Sequence, residues 1–348
     1  MRRHHEVWVP PVGMNAPIAI QYNDLNEQPA SRAWRGLGAG PEPTAVELWR
    51  KLRTKPAVFR LTFADGSHPA VFAKQCPAAD LAFERRIYEE ILPLLPVTTP
   101  RYHGFHAGPD GYGWLFVEDV GGSRISVTDP THRALAGRWL GTLHRAAANV
   151  IAVTQLPEGG PPRYLGYLRT SRAFIREHLG NPVLRAADVE HLRSVLQWQD
   201  VLEARWPALE SALANVPRTL VHGDFRPKNA RVHPQAGAAT LFVIDWEMAG
   251  FGIPAADLAP ARNLGVTPLV DPDAYEGAVR EDWPEFDRAM FEHLTVAGKL
   301  FRALAAIDWD SQSLRFESYD NLVQAVSGMP YYVREISQAL EAGAEWLR

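Results

Sequence analysis

The sequence predicts an α+β protein in two parts, a small and mostly antiparallel sheet with one helix followed by a larger, mainly helical region. In the first third of the chain, short β-rich runs alternate with turn residues. Beyond Gly121-Gly122, apolar residues recur at helical spacing, interrupted by β-rich stretches near residues 219–245. The expected organisation is an irregular N-terminal arm over 1–44, a first lobe over 45–120 and a second lobe over 121–348.

The composition narrows the class of protein. The chain has 348 residues, of which 46% are hydrophobic and 22% charged, a balance that can bury a core. The net charge of −4 is spread along the chain, without the basic stripe of a nucleic-acid-binding protein. No run approaches the roughly 18 apolar residues of a membrane helix, and the basic N-terminus lacks the apolar centre of a signal peptide. The single cysteine, Cys76, fits a reducing compartment. We therefore expect a cytoplasmic protein with no nucleic-acid or membrane partner.

The first 44 residues are rich in Pro, Gly and Asn and have few periodic apolar positions, which favours an irregular arm. The glycine-spaced piece RGLGAG, Arg35 to Gly40, is followed by prolines. A phosphate-binding loop requires a helix at that place, so this piece does not match one.

The first lobe is expected to hold strands and one helix. The runs VFRLTF and AVFAKQ flank an Asp65-Gly66 turn, which is typical of a hairpin. Helical spacing over 78–92 ends at Pro93. Two further strands are predicted near residues 101–106 and 114–120.

The second lobe is expected to be helical around a small β insert. Asp129 is placed to cap a helix that continues to about residue 148. The remaining predictions are a helix near 186–214, strands near 219–222, 230–233 and 240–245, and helices over most of 255–347.

The stretch TLVHGDFRPKN carries the clearest chemical signal. An apolar run leads His222-Gly223-Asp224 into a charged loop, and Asn229 follows five residues after the aspartate. The short strand TLFVIDW then brings Asp245 to its end. Carboxylate and amide oxygens suit Mg²⁺, and an acid left free of metal can accept a proton from a hydroxyl. We expect Asp224 to act as the base, and Asn229 and Asp245 to hold the metal against a nucleotide.

HGDFRPKN followed by IDWE resembles the catalytic loop and metal-binding segment of the aminoglycoside phosphotransferase and choline kinase-like family, relatives of the protein kinases. The family pattern is H-G-D-x-x-x-x-N, then I-D-[WF]-E. The resemblance implies a bilobal protein-kinase-like fold. It also implies ATP- and Mg²⁺-dependent transfer of the γ-phosphoryl group to a hydroxyl of a small molecule, either aminoglycoside-like or another metabolite or antibiotic. GTP is an alternative donor.

The resemblance also implies residues that bind the nucleotide. Lys74, at the end of AVFAK, and Glu84 on the next helix would hold the α- and β-phosphates. LFVEDV resembles the strand that joins the lobes, so backbone groups near Glu118 and Val120 would bond the adenine edge.

One implied feature is missing, because no glycine occurs between Val46 and Phe63, where a phosphate-binding turn is expected. Arg53 and Lys55 stand there, and their cations would replace the backbone donors.

The resemblance assigns further residues in and around the loop. Arg226 stands where protein kinases have a cation, and it would neutralise charge on the transferring phosphoryl group. His222 and His144 are interpreted as structural. Asp257 would hold the catalytic loop in place.

The acceptor is expected against the last third of the chain. The notable side chains there are Asp308, Asp310, Glu317, Asp320, Trp283, Trp309, Tyr319, Tyr331 and Tyr332. Acids would suit a cationic acceptor and aromatic rings a choline-like ammonium or a flat ring. No charge argument selects between them, so the acceptor is predicted only as a small molecule with a hydroxyl group.

Two other functions compete with a small-molecule kinase. A protein kinase is disfavoured because IDWE is followed by MAGFGIP, without the Asp-Phe-Gly and Ala-Pro-Glu signatures. A catalytically weak pseudokinase that binds a ligand or partner is supported only by the missing glycines.

Overall fold

The computed structural model describes residues 18–19, 25–52, 55–64, 66, 68–108, 111–234, 239–259 and 269–347. Their architecture is α+β, as predicted, with an antiparallel sheet toward the N-terminus and helices toward the C-terminus. They fall into two compact units built from interleaved segments. The first comprises Met1–Leu94, Thr98–Ser123 and Phe242–Glu247, and the second comprises Leu95–Val97, Arg124–Leu241 and Met248–Arg348.

The first unit contains a six-stranded sheet with the order β1-β2-β3-β4-β6-β5, in which neighbouring strands are antiparallel. Its strands are β1 (Ile18–Ala19), β2 (Ala45–Leu52), β3 (Lys55–Thr62), β4 (Val71–Pro77), β5 (Tyr102–Ala107) and β6 (Tyr112–Glu118). Along β4, Val71 and Ala73 are buried on one face, while Phe72 and Lys74 lie on the opposite face, where the Lys74 side chain is 11% exposed. The alternation therefore places Lys74 on the face that is turned away from the core.

A helix within residues 1–44 corrects the prediction of an irregular arm. Helix α1 (Pro29–Leu37) begins after Gln28, whose side chain accepts a hydrogen bond from the Ser31 N–H, and ends at Gly38 in the left-handed conformation. Trp34 on this helix is only 1% exposed and packs into the core of the sheet. A helix of nine residues shows too few turns for its periodicity to stand out.

The predicted helix over 78–92 is present, but only its first part is an α-helix. Helix α2 (Ala78–Arg86) continues as a π-helical turn over Ile87–Ile91, followed by a single 3-10 turn at Leu92–Leu94. Among the described residues of the first unit, α1 is thus an α-helix in addition to the one expected over 78–92. Asp65 of the predicted hairpin turn lies outside the described residues.

The second unit is mainly helical. Its helices are α3 (Pro130–Ala147), α4 (Ile151–Thr154), α5 (Pro161–His178), α6 (Ala186–Ala204), α7 (Trp206–Leu213), α8 (Pro272–Val279), α9 (Arg288–Ser311) and α10 (Tyr319–Ala342). Asp129 caps α3 as predicted, accepting from the N–H groups of Thr131 and His132. The single helix expected over 186–214 is interrupted at Arg205, because Pro207 has no N–H to continue the hydrogen bonding. Helix α5 was not predicted.

Short strands accompany the loop that carries the sequence motif. They are β7 (Ser123–Arg124), β8 (Thr219–Val221), β9 (Ala230–His233), β10 (Thr240–Val243) and β11 (Gly250–Gly252). Strand β8 is buried along its whole length and pairs antiparallel with β11. None of the helices in the described part of the chain combines the length and apolarity needed to cross a bilayer.

Candidate active site

The catalytic loop, His222–Asn229, begins where β8 ends. Gly223 has a φ of 74°, and a Cβ added there would lie 2.3 Å from the carbonyl oxygen of Met248. Both the backbone conformation and the close approach require glycine at this position. The His-Gly-Asp sequence is therefore a tight turn that directs Asp224 out of a buried strand.

Asp257 fixes the start of this loop, as the resemblance implied. Its carboxylate is fully buried and accepts the backbone N–H of His222 (2.7 Å) and of Gly223 (2.8 Å). One carboxylate oxygen also lies 3.1 Å from Nε2 of His144, whose Nδ1 lies 2.9 Å from the Tyr275 hydroxyl. Both histidines are fully buried, as expected for structural residues.

Asp224 is surrounded by donors from its own loop. The Asn229 amide donates to both the backbone oxygen and Oδ2 of Asp224, each at 3.0 Å. Lys228 Nζ lies 2.9 Å from Oδ2, and Arg226 contacts Oδ1. Burial alone would raise the pKa of Asp224, but the two cations hold it below its usual value. Asp224 is therefore ionised at neutral pH, the state that a proton acceptor requires.

Another cation reaches the loop from helix α9. Arg302 donates to the carbonyl oxygen of Phe225 at 3.1 Å, next to Asp224 in the chain. Burial and the nearby Arg226 lower the pKa of Arg302 to about 10. Sequence analysis did not select Arg302, because only the packing of α9 brings it to a loop far away in sequence.

A second group of charges, the lysine cluster, is formed by Lys74, Glu84, Asp245 and Glu247 in the first unit. Lys74 Nζ lies 2.6 Å from Glu84, 3.2 Å from Asp245 and 3.4 Å from Glu247. The fold thus brings together Lys74 and Glu84, which were predicted to act as a pair, and adds Asp245, which was predicted as a metal ligand. Glu247 was not predicted to take part, although it stands in the IDWE motif.

Burial and charge oppose each other in the lysine cluster. Burial alone would lower the pKa of Lys74, but the carboxylates of Glu84, Asp245 and Glu247 raise it well above its usual value. Burial raises the pKa of Glu84 despite the neighbouring ammonium. Lys74 therefore stays protonated and is shared among three carboxylates. A phosphate can take the place of one of these carboxylates beside the ammonium group.

Asp245 has a φ of 70°, the single positive value outside glycine among the described residues. Aspartate tolerates the left-handed region better than most side chains, but the conformation still stores strain. The buried side chain of Tyr88 is hydrogen-bonded to the backbone of Asp245, and burial raises the pKa of the Tyr88 hydroxyl well above its usual value. The strained turn is thus supported by packing and directs the Asp245 carboxylate toward Lys74.

The structure says less about the other residues that were predicted to bind the nucleotide. The N–H of Glu118 donates to the carbonyl of Arg101 at 2.9 Å, so only the Glu118 carbonyl is a candidate to meet an adenine edge. Val120 follows the end of β6. Arg53 lies outside the described residues, between β2 and β3 where the phosphate-binding turn was expected. Lys55 begins β3, and its side chain also lies outside the described residues.

Asn229 in the second unit and Asp245 in the first each carry oxygen atoms of the kind that Mg²⁺ prefers. The Asn229 Nδ2 group donates twice to Asp224, which leaves the amide oxygen to face away from that carboxylate. An amide oxygen and a carboxylate suit Mg²⁺, which takes most other ligands from water and phosphate. No group of three or more His, Cys, Asp or Glu side chains placed to hold a metal occurs in the described part of the chain.

Lys228 was also missed by sequence analysis. It lies between the predicted Arg226 and Asn229, and its contact with Oδ2 makes it a direct partner of Asp224. Its position four residues after Asp224 was a possible signal, since such spacing brings side chains together in a helical turn.

Burial separates the side chains that were expected to contact the acceptor. Trp283 is 9% exposed and packs against Phe286, so it is a core residue. Trp309 is 54% exposed. Asp308 has a buried Oδ1 with no hydrogen-bond partner in the described structure, and burial raises its pKa to about 6.

The second unit carries an aspartate on a glycine-turned loop with an amide five residues later, and the first unit carries a lysine–glutamate pair next to a strained aspartate. These groups are the kind that kinase-type phosphotransferases use. The chain belongs to the phosphotransferase enzyme family, whose model matches residues 49–291. It is therefore a small-molecule kinase.

Solved structures share the fold at low identity, and the bilobal protein-kinase-like prediction is confirmed by them. A spectinomycin phosphotransferase, solved with ADP and spectinomycin, is 12% identical with a TM-score of 0.57, covering 86% of this chain and 94% of its own. A putative aminoglycoside phosphotransferase from Ralstonia eutropha is 16% identical with a TM-score of 0.59, covering 90% and 98%. An ethanolamine kinase from Plasmodium vivax is 16% identical with a TM-score of 0.55, covering 88% and 85%. No curated protein sequence matches the chain significantly.

Proposed function

We propose that the protein transfers the γ-phosphoryl group of ATP, or of GTP, to a hydroxyl of a small molecule. The acceptor class is an aminoglycoside-like compound or another small metabolite or antibiotic. Because the donor is a cytoplasmic nucleotide, we place the enzyme in the cytoplasm. The observation that carries the proposal is the contact of Lys74 with both Glu84 and Asp245, residues that the motifs assign to phosphate and metal binding.

In the proposed reaction, the acceptor oxygen forms a bond to the γ-phosphorus as the bond from that phosphorus to the β,γ-bridging oxygen breaks. The electron pair leaves with the nucleoside diphosphate, and the hydroxyl proton passes to the carboxylate of Asp224. Arg226 is assigned to neutralise the phosphoryl oxygens, and Lys74 to bind the α- and β-phosphates. The Glu118 carbonyl and the backbone of Val120 are assigned to the adenine, and Arg53 and Lys55 to the phosphates.

Asn229 and Asp245 are the residues proposed to hold magnesium. The bound ion would neutralise phosphate charge and orient the phosphates. Asn229 would present its amide oxygen while its nitrogen keeps Asp224 oriented.

The first test measures thermal unfolding with nucleotide and Mg²⁺, separately and together, for the wild type and Asp245→Asn. Asparagine tolerates the left-handed backbone that alanine would strain, so the variant removes charge without disturbing the turn. A ligand at a hundredfold excess over its Kd stabilises by about 2.7 kcal/mol, or a few degrees. We expect a shift for the wild type that requires both components and a much smaller one for the variant. Equal shifts for both proteins would remove Asp245 from the metal site.

The second test measures nucleoside diphosphate release by Asp224→Asn. A kinase should lose turnover by a factor of about 10² to 10⁴ while still binding nucleotide, because the base is removed and the phosphate-binding cation remains. A turnover equal to that of the wild type would overturn the assignment of the base.

The competing proposal is a weak pseudokinase that binds a ligand or partner. It is favoured by the absence of glycine from β2 and β3, and by the pairing of Asp224 with Arg226 and Lys228. The same Asp224→Asn experiment separates the two functions, since a binding module has no turnover to lose.

A further inference from the structure

The backbone that follows the IDWE motif lies against the turn that begins the catalytic loop. Strand β11 pairs with β8 in a register that sets Gly250 opposite Val221. The same register, continued past the ends of both strands, sets Met248 opposite Gly223. The carbonyl oxygen of Met248 is also the atom that a Cβ at Gly223 would strike. The position of this oxygen therefore limits how the Gly223 turn is placed, and with it the direction in which Asp224 leaves the turn.

Arg163 of helix α5 holds this carbonyl group in place. Its Nη1 donates to the Met248 oxygen at 2.7 Å, and its Nη2 donates to the Ala249 oxygen at 3.0 Å. One guanidinium group thus binds two successive carbonyls, and its planar shape keeps the two hydrogen bonds at a fixed spacing. A Cβ added at Gly250 would lie 2.5 Å from Nη2, so the glycine leaves room for this contact.

The segment that carries Arg163 is itself attached to β11. The N–H of Gly159 donates to the Phe251 oxygen at 2.8 Å, and the N–H of Phe251 donates to the Pro157 oxygen at 2.9 Å. Helix α5 then begins at Pro161, and Arg163 lies in its first turn. Because proline restricts the backbone at the start of the helix, the arginine is presented to the two carbonyls from a stiff segment.

The turn before Asp224 is therefore held from two sides. Asp257 accepts the N–H groups of His222 and Gly223. The Met248 oxygen, bound by Arg163, meets the same turn at the Cα of Gly223. The first contact belongs to the family pattern described above, whereas Arg163 lies outside both the HGDFRPKN and the IDWE motif.

We propose that Arg163 is a positioning residue for phosphoryl transfer. By holding the Met248 carbonyl against Gly223, it keeps the carboxylate of Asp224 in the orientation that accepts the hydroxyl proton. The inference rests on the proposed function and adds to it a residue that acts through the backbone. Because the phosphates of the nucleotide are assigned to Lys74 in the first unit, loss of Arg163 should lower kcat and leave the KM for nucleotide unchanged.

The first experiment compares Arg163→Met with the wild type in the release of nucleoside diphosphate from ATP or GTP with Mg²⁺, using water, ethanolamine or kanamycin as the acceptor. Methionine keeps an unbranched apolar chain and removes both donors. We expect kcat to fall by about tenfold or more at an unchanged KM for nucleotide. The matched control Arg169→Met removes an arginine of the same helix that is 60% exposed and pairs with Glu203, and it should leave kcat unchanged.

A double variant separates positioning from a general loss of structure. If Arg163 acts through Asp224, adding Arg163→Met to Asp224→Asn should change the residual turnover by less than about twofold, whereas independent effects multiply. Arg163→Lys keeps one cationic donor, so it should lose less of kcat than Arg163→Met. It also serves for the same double-variant comparison if the methionine variant does not fold.

Amide hydrogen exchange provides a measurement that needs no turnover. The N–H groups of His222 and Gly223 should exchange about tenfold faster in Arg163→Met than in the wild type, because the turn has lost one of its two supports. In Arg169→Met, the same two groups should exchange at the rate of the wild type.

The outcomes separate the two proposals. An unchanged kcat in a folded Arg163→Met, losses that multiply in the double variant, or unchanged exchange at His222 and Gly223 would overturn the positioning role and leave the phosphotransferase intact. A wild type that neither releases nucleoside diphosphate with any acceptor nor is stabilised by nucleotide overturns the proposed function and the part of Arg163 in it.

Discussion

Replacing Asp257 with asparagine tests whether one buried carboxylate holds the catalytic loop. In the wild type, one oxygen accepts the N–H of His222 and the other accepts the N–H of Gly223. Asparagine offers a single acceptor oxygen, and its NH₂ group would face one of these N–H donors. Because His222 is fully buried, water cannot replace the lost acceptor.

The expected cost follows from these contacts. An unsatisfied buried donor costs about 1–3 kcal/mol, and the remaining hydrogen bond loses about 1 kcal/mol when its acceptor is no longer charged. The sum is about 3 kcal/mol. At about 2–4 °C per kcal/mol for units of this size, the melting temperature should fall by roughly 6–12 °C.

Urea unfolding followed by tryptophan fluorescence measures this loss, read as a lower midpoint at unchanged slope. The matched control is Asp273→Asn, which removes a carboxylate whose side chain is 84% exposed, and should change stability by less than about 0.5 kcal/mol. If Asp257→Asn unfolds at the same midpoint as that control, the carboxylate does not stabilise the loop and the structural role assigned to it is wrong.

Three further substitutions probe other contacts. Lys74→Met should cost about 3–5 kcal/mol, because the buried Glu84 loses its cation. The pKa of Glu84 is already raised in the wild type and should rise further in the variant. The loss of stability caused by the substitution should therefore shrink at low pH, where this carboxyl is protonated in the folded and in the unfolded protein. A loss of stability in urea unfolding that does not change with pH would contradict the pairing. Gly223→Ala should cost about 2–4 kcal/mol through the positive φ and the contact with the Met248 carbonyl; an unchanged midpoint would refute the tight turn. Asp308 keeps its proton to about pH 6 when folded, against 3.8 as its ordinary pKa, so stability should fall as pH rises from about 4 to 6. Allowing for the partial exposure of Asp308, the variant Asp308→Asn should lose about 1–2 kcal/mol less stability than the wild type over this pH range. An identical pH profile of the two proteins would count against the burial of this carboxyl.

The catalytic loop could be predicted because its residues are close in sequence. Asp224 and Asn229 meet through a single hydrogen-bonded loop, and their spacing alone carries that information. Lys74 was selected at the end of the run AVFAK; it lies in the middle of β4, where alternation decides which face it occupies.

The features that were missed depend on tertiary packing or on short elements. Arg302 lies on a long helix whose rotation decides which side chains reach the loop, and no local pattern records this. Trp283 was expected near the acceptor because aromatic rings suit ligands, but packing against Phe286 makes it a core residue. The helix that carries Trp34 is too short for its pattern to compete with the surrounding Pro and Gly.

The interleaving of the two units has a consequence for how such a protein can be divided. A fragment ending at Ser123 would keep Lys74 and Glu84, but it would lack Asp245 and Glu247, which the chain supplies from Phe242–Glu247. The lysine would then be left with one of its three carboxylates. Neither unit is therefore a module that deletion or recombination can transfer intact. Changes in the charges around Lys74 must be compensated by changes in a distant part of the sequence.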